Sequence, residues 1–210
     1  MYAHKEGVTL RKIEPSDLHY LLDLKKDTWW GTHGMLVANI QDQIEWYKSI
    51  PSNALYLIAT YDHRTVGVAS ITDIDWMSGV MDISGIAHKN ARGKKCKDGN
   101  LMLSEAGFMA GIDFCFEALN AHRLNAEVLE TNYASLSLQL DSIGFSYEGR
   151  KRKSTYKCGR YYDSIVIGLL REDWERQQRV ISYGGCCNTN LDFVAMQKNV
   201  VKSSQRCPPV

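Results

Sequence analysis

Apolar and polar residues alternate over 8–13, which predicts an opening strand. Glu14-Pro15-Ser16-Asp17 then starts a helix, with Ser16 where an N-cap belongs and Leu18, Leu21 and Leu22 on one face. Residues 27–39 read as a loop, and 40–50 as a second helix ended by Pro51. Strand patterns follow at 54–61 and 65–74, joined by the short turn Asp62-His63-Arg64, and again at 80–86. After a polar, glycine-bearing stretch, residues 101–119 are apolar on nearly every face, as in a helix buried on more than one side. A strand at 124–128, a helix at 133–143 stopped by Gly144, and strands at 146–153 and 161–170 complete the order.

This order mixes antiparallel pairs with one strand–helix–strand crossover around 101–119. It predicts an α/β fold: a mixed, mostly antiparallel sheet of six to seven strands with helices on both faces. Residues 1–171 form the domain. From Trp174 onward the chain is turn-rich and then polar, so 172–210 is expected to be a loosely packed, partly disordered appendage.

The chain has 210 residues and is 44% hydrophobic, which supports a real core and excludes general disorder. A net charge of +1 provides no general attraction to nucleic acid or acidic lipid. No apolar run is long enough to span a membrane or serve as a signal peptide, and the cytoplasm is the expected location. Six cysteines include no CxxC pair, so no metal knuckle is expected.

The second half carries more specific signals. The runs ISGIAHKNARGK (83–94), FCFEALNAHRLNAEVLETN (114–132), IGFSYEGR (143–150) and GRYYDSIVIGLLREDWE (159–175) occur in that order. Together they resemble the GNAT superfamily, in particular its ribosomal-protein and spermidine/spermine N-acetyltransferases. NIQDQIEWYKSI (39–50) is similar to the second helix of sugar-nucleotide amine acetyltransferases. The resemblance covers about residues 8–175. It implies an N-acetyltransferase (a transferase, or acyltransferase) with the GNAT fold. Acetyl-CoA would be co-substrate, bound where the central parallel strands 80–88 and 124–129 splay apart, and no metal is implied.

A pyrophosphate needs several backbone N–H groups and the positive end of a helix dipole. The family supplies these with Arg/Gln-x-x-Gly-x-Gly/Ala before its long helix, and Arg92-Gly93-Lys94-Lys95-Cys96-Lys97 is the matching run. Both later glycines are lysines here, and Gly99 follows late. The loop then reads as extended, with Asp98-Gly99-Asn100 starting the helix. Lys94, Lys95 and Lys97 hold phosphate by charge, or belong to a lost cradle, or are solvated. The expected cofactor-side set is Ile86, Ala87 and His88 for the oxyanion, then Arg92, Gly93, Lys94, Lys95, Lys97, Gly99, Asn100 and Asn132. Asn132 is equally a helix N-cap.

Amide formation needs a neutral amine, hence a base. His33 lies in the loop where related polyamine acetyltransferases place an acidic residue; Asp73 and Asp75, at a strand end, are the other candidates, or else an ordinary turn. Many GNAT enzymes protonate the leaving thiolate with a tyrosine after the asparagine. Here Gln139 or Leu140 occupies that place and the helix is one residue longer than the pattern, leaving Ser135 and Ser137 as hydroxyls, with Ser137 the candidate acid. Trp29, Trp30, Trp46 and Asp73 would bind the acceptor.

The expected reaction moves acetyl from acetyl-CoA to a primary amine of a small acceptor, an amino sugar nucleotide or polyamine. Two other classes stay open: a GNAT-fold protein that binds without catalysing, and an acyltransferase directed at protein or nucleic acid, resting on the basic run Arg150-Lys151-Arg152-Lys153. The partner expected is a small-molecule amine. A homodimer is compatible with this, while no membrane or nucleic acid partner is expected.

Overall fold

The computed structural model describes residues 3–33, 39–97 and 101–182. These fall into two compact units, Met1–Trp29 with Gly34–Asn125, and Trp30–His33 with Ala126–Val210. Among the described residues no helix is long and apolar enough to cross a membrane.

In the first unit the strands run in the order β1 (Ala3–Lys5), β2 (Val8–Lys12), β3 (Leu55–Tyr61), β4 (Arg64–Asp75), β5 (Val80–Ala87), β6 (Arg123–Leu129). All neighbours are antiparallel except β5 and β6, which are parallel. The parallel register is Val80↔Arg123, Met81↔Leu124 and Asp82↔Asn125, while β5 keeps its β4 partner as far as Ala87. This is the central parallel pair expected from the crossover, with its ladder confined to the first three residues of β5.

Alternation along β3 and β4 sorts the helices onto two faces. Helix α3 (Leu103–Glu117) lies over Ala59 and Ala69: a Cβ on Gly107 would come 3.6 Å from Ala59, and one on Gly111 3.5 Å from Ala69. On the opposite face Ile58 joins Ile13, Leu18 and Leu21 in a cluster that also takes in Val68, Ile40, Ile44 and Trp46. Leu18 and Leu21 come from α1 (Leu18–Thr28), and Ile40, Ile44 and Trp46 from α2 (Ile40–Lys48). Small residues therefore admit the largely apolar α3, and branched ones meet the amphipathic pair. At Gly85 a Cβ would stand 2.7 Å from the Phe108 ring, so only glycine lets β5 pass that close to α3.

The N-cap expected at Ser16 falls elsewhere. Asp17 accepts the Glu14 N–H at 2.8 Å and is forked by Arg11 at 2.8 and 2.7 Å, which holds its carboxyl below the usual range. Two bonds from Arg11 outweigh what a serine hydroxyl offers. The helix start expected at Asp98-Gly99-Asn100 is also corrected: α3 begins at Leu103 with Met102 as its cap residue.

In the second unit β6 is followed by β8 (Arg160–Leu170) and then β7 (Ser146–Lys157), the last two antiparallel. Helix α4 is short, Tyr133–Ser137, and passes into a π-helical turn at Leu138–Ile143 that Gly144 closes at φ 85°. A π turn accommodates one residue more than an α turn. It absorbs the extra residue evident in the sequence between Asn132 and Gly144.

The tail begins as helix α5 (Arg171–Ser182), whose Gln177 packs at Gly144, so the loosely packed stretch expected from 172 does not start there. The remainder of the appendage, 183–210, lies outside the described residues. Among the described residues there are eight strands, and the short β1, three residues with no alternation to detect, is the one that the sequence pattern does not show.

Candidate functional site

His33 stands in the second unit, just after the 3-10 turn Trp29–Gly31. Its Nε2 lies 2.9 Å from Ser164 Oγ and 3.4 Å from Glu127 Oε1. Ser164 is fully buried, and its Oγ is also 2.5 Å from Ser154 Oγ. A carboxylate only accepts and a hydroxyl has one proton to give. Glu127 Oε1 and Ser164 Oγ both face Nε2, and the carboxylate can only accept, so the arrangement suits a proton on Nε2. The imidazole then carries its proton on Nε2 and its lone pair on Nδ1.

Burial pushes the His33 pKa below the ordinary histidine value, Glu127 opposes that, and Lys157 and Lys151 reinforce it. At neutral pH the ring is a neutral proton acceptor. Burial works against the charge on Glu127, but hydrogen bonds from Lys151 and Ser164 outweigh it and keep the carboxyl below its ordinary range. Lys157, only 8% exposed, donates to the Thr32 carbonyl beside His33.

Asn132 fixes the turn that carries His33. Its Oδ1 caps α4 by accepting the Ser135 N–H at 3.3 Å, and its Nδ2 donates to the Gly31 carbonyl at 3.1 Å. The cap and the bridge hold together, but the bridge runs to the Trp29–Gly31 turn.

The expected thiolate acid is placed less favourably. Ser137 Oγ, exposed, donates to Asp141 at 2.8 Å. Gln139 and Leu140, the two residues expected at the tyrosine position, are both buried, and Gln139 Nε2 donates to Ser135 Oγ at 2.8 Å.

In the first unit the end of β5 supplies the oxyanion candidates. His88 N–H donates to Val66 O at 2.9 Å, so it faces β4. Antiparallel geometry alternates these directions, which turns Ile86 N–H to β4 as well and leaves Ala87 N–H and C=O on the other edge. Arg92 Nε reaches Ala87 O on that edge at 3.3 Å. Of the expected trio, Ala87 alone has its N–H on the edge away from β4.

The loop after Arg92 is folded back on itself. Leu103 N–H donates to Lys94 O at 2.8 Å, Cys96 N–H to Leu101 O at 3.0 Å, and Lys95 bridges Met102. Residues 94–96 thereby meet 101–103 at the neck of an excursion, and Lys94 abuts the first residue of α3 directly. Gly93 has φ 70° with open space around a would-be Cβ. Lys97 turns to β3–β4: its N–H donates to Tyr61 Oη at 2.6 Å and its ammonium pairs with Asp62. Gly99 and Asn100 lie outside the described residues.

Asp75 accepts from Met77 N–H at 2.9 Å and Ser78 N–H at 3.2 Å; the Ser78 side chain first, and then these two amides, hold its carboxyl below the ordinary range. It organises the β4–β5 turn. Asp73, at φ 49° in the β4 irregularity, lies near enough to Tyr56 to raise that phenol, after burial has done most. Tyr56 meets Trp46 edge to face at 4.8 Å, and the Lys25 ammonium stands 3.9 Å over the Trp46 ring and 3.1 Å from Gln43 Oε1. Trp46 and Asp73 are thus joined through Tyr56, and Trp29 and Trp30 lie in the turn before His33.

Glu127, Ser164, Ser154 and Lys25 escape a sequence reading. Glu127 and Ser164 sit in strands where alternation assigns only a face, and their convergence on His33 follows from strand order.

The acetyltransferase (GNAT) domain family matches residues 10–166. A prophage-derived uncharacterized N-acetyltransferase, YokL of Bacillus subtilis (strain 168), is 27% identical over 83% of this chain and 96% of its own. An uncharacterized N-acetyltransferase of Bacillus licheniformis is 26% identical over 81% and 97%. Spermidine N-acetyltransferase from Vibrio cholerae, solved with CoA and spermine, superposes with TM-score 0.72 at 18% identity, covering 80% of this chain and 98% of that one. The chain belongs to the GNAT superfamily and is an acyl-CoA-dependent N-acetyltransferase.

Proposed function

We propose that this enzyme moves the acetyl group of acetyl-CoA onto the primary amine of a small acceptor by direct attack. The observation that carries this reading is the Glu127–Ser164–His33 array, whose oxygens face Nε2 and leave Nδ1 for the acceptor, around an imidazole that burial favours in its neutral form. An alkyl amine with pKa near 10.4 is neutral in only about one molecule per thousand at neutral pH, so a positioned base matters.

In the proposed reaction His33 Nδ1 takes the amine proton as the nitrogen attacks the thioester carbonyl. Within the first unit, the Ala87 N–H is the candidate donor to an oxyanion. The C–S bond then breaks, and CoA leaves as a thiolate. A thiol pKa near 8.5 makes that departure feasible without a tyrosine. Within the first unit, Arg92, Gly93 and Lys94 fit the pyrophosphate beside the start of α3, where the helix dipole favours an anion. Trp30, 44% exposed beside His33, offers the acceptor an apolar face. Structural neighbours that acetylate spermidine support a small amine as acceptor.

The test is acetyl transfer followed by thiol release, in the parent and in His33→Ala, at neutral pH and near the amine pKa. The expected loss is at least tenfold at neutral pH and small in alkali, where the amine needs no help. An equal loss at both pH values would remove His33 from the chemistry.

A further inference from the structure

We infer that the acceptor carries an anionic oxygen group, phosphate or carboxylate, in addition to its amine, and that the cations on the His33 face of strands β7 and β8 recognise it. The inference rests on His33 being the base proposed above.

Residues paired across two strands share a face, and the pairs are Lys151↔Ser164, Thr155↔Tyr162 and Lys157↔Arg160. Along β8, residues 160, 162 and 164 return to one side. Ser164 is hydrogen-bonded to His33, so Lys151, Lys157 and Arg160 belong to the face that carries the base. Against these three cations Glu127 is the carboxylate that meets His33, and it already holds Lys151. The neighbouring acids face the other way: Asp163, with odd numbering on β8, joins Glu130 in binding Arg150.

Lys157 is the strongest element. Its side chain is 8% exposed, its ammonium donates to the carbonyl of the residue before His33, and burial holds its pKa below the lysine value. Arg160 lies 5.0 Å over the Tyr162 ring on the same face. A desolvated ammonium and a guanidinium make charge-assisted bonds to phosphate or carboxylate oxygens. They repel the second and third ammonium groups of a polyamine. A polyamine site needs carboxylates spaced along the chain, and Glu127, the carboxylate that meets His33 among the described residues, is held by Lys151. The fold is shared with spermidine acetyltransferases, whereas the charge of this face points to a different acceptor.

Matched pairs of amines test the idea: glucosamine against glucosamine 6-phosphate for phosphate, and cadaverine against lysine for carboxylate, with spermidine alongside. The expected result is a kcat/KM at least tenfold higher for the anionic member of one pair, the responsive pair naming the anion. That preference should shrink in 0.5 M salt, and in Lys157→Met or Arg160→Gln through a raised KM. Equal rates within both pairs, or spermidine or cadaverine as the best substrate, would overturn the inference while leaving the acetyltransferase reading intact. If acetyl-CoA binds and no amine is turned over, the proposed function falls and this inference falls with it.

Discussion

The Nε2 atom of His33 lies 2.9 Å from the Oγ of Ser164, a side chain with no exposed surface. An exposed loop histidine would titrate near 6.5. Here burial moves the pKa lower, and the lysines at 151 and 157 add to the effect. The acidic limb of kcat/KM should therefore lie below pH 6.5. Glu127 raises the His33 pKa, so Glu127→Gln should shift the limb further into acid and lower the plateau. Ser164→Ala removes the oxygen that fixes the tautomer, and should lower kcat more than it raises KM. The linkage has a definite sign. Below pH about 6.5 the unfolded chain takes up this proton before the folded one does, so stability from His33 is present above that pH and lost as pH falls. Urea denaturation of the parent and His33→Gln across pH 5–8 checks it; parallel pH profiles would contradict the shift.

Asn132 joins α4 to the Gly31 carbonyl, so its removal should act on both stability and turnover. Asn132→Ala loses a cap and a bridging bond, for a cost of about 1–2 kcal/mol in thermal unfolding. Asn132→Asp keeps the cap acceptor but loses the donor to Gly31. It should recover most of the stability and leave turnover low, which separates the cap from the support of the His33 turn.

Gly144 should tolerate no side chain. Its φ of 85° is left-handed, and a Cβ would come 1.8 Å from Gln177 Nε2 on α5. Gly144→Ala should cost about 1–2 kcal/mol from the backbone alone. Adding Gln177→Ala removes the clash and leaves the backbone cost. A double variant as stable as the parent would show that only the clash mattered.

Much of the fold was legible because it rests on local pattern. Alternation gives β3, β4 and β8, and the continuous apolar run gives α3. Even the excess residue before Gly144 is visible in sequence, although its form as a π turn is not. What alternation cannot supply is which strands lie side by side. Ser164 reads as one more alternating residue of a strand, and it becomes a histidine partner only when β8 lies next to β6. Lys97 reads as one of three equivalent lysines until the Lys94–Leu103 bond shows the excursion closing on itself. Asp75 looks the same to a sequence reading whether it binds substrate or two turn amides. Asp75→Asn should accordingly leave kcat unchanged.

That closure gives the lysines separate roles, and the separation is measurable. Lys97 is committed to Asp62 and Tyr61, whereas Arg92 stands at the Ala87 carbonyl and Lys94 abuts the first turn of α3. Phosphate at a helix N-terminus gains from free N–H groups and from nearby cations. Arg92→Ala and Lys94→Ala should each weaken acetyl-CoA binding by about 1–3 kcal/mol, a charge-assisted bond, and flatten its salt dependence. Lys97→Ala should bind as the parent does, because its ammonium already has a partner on the other side of the loop. Calorimetry at two salt concentrations distinguishes the three. If Lys97→Ala weakened binding as much as Lys94→Ala, the excursion would have to open for the phosphates, and the closed arrangement would not be the one that binds.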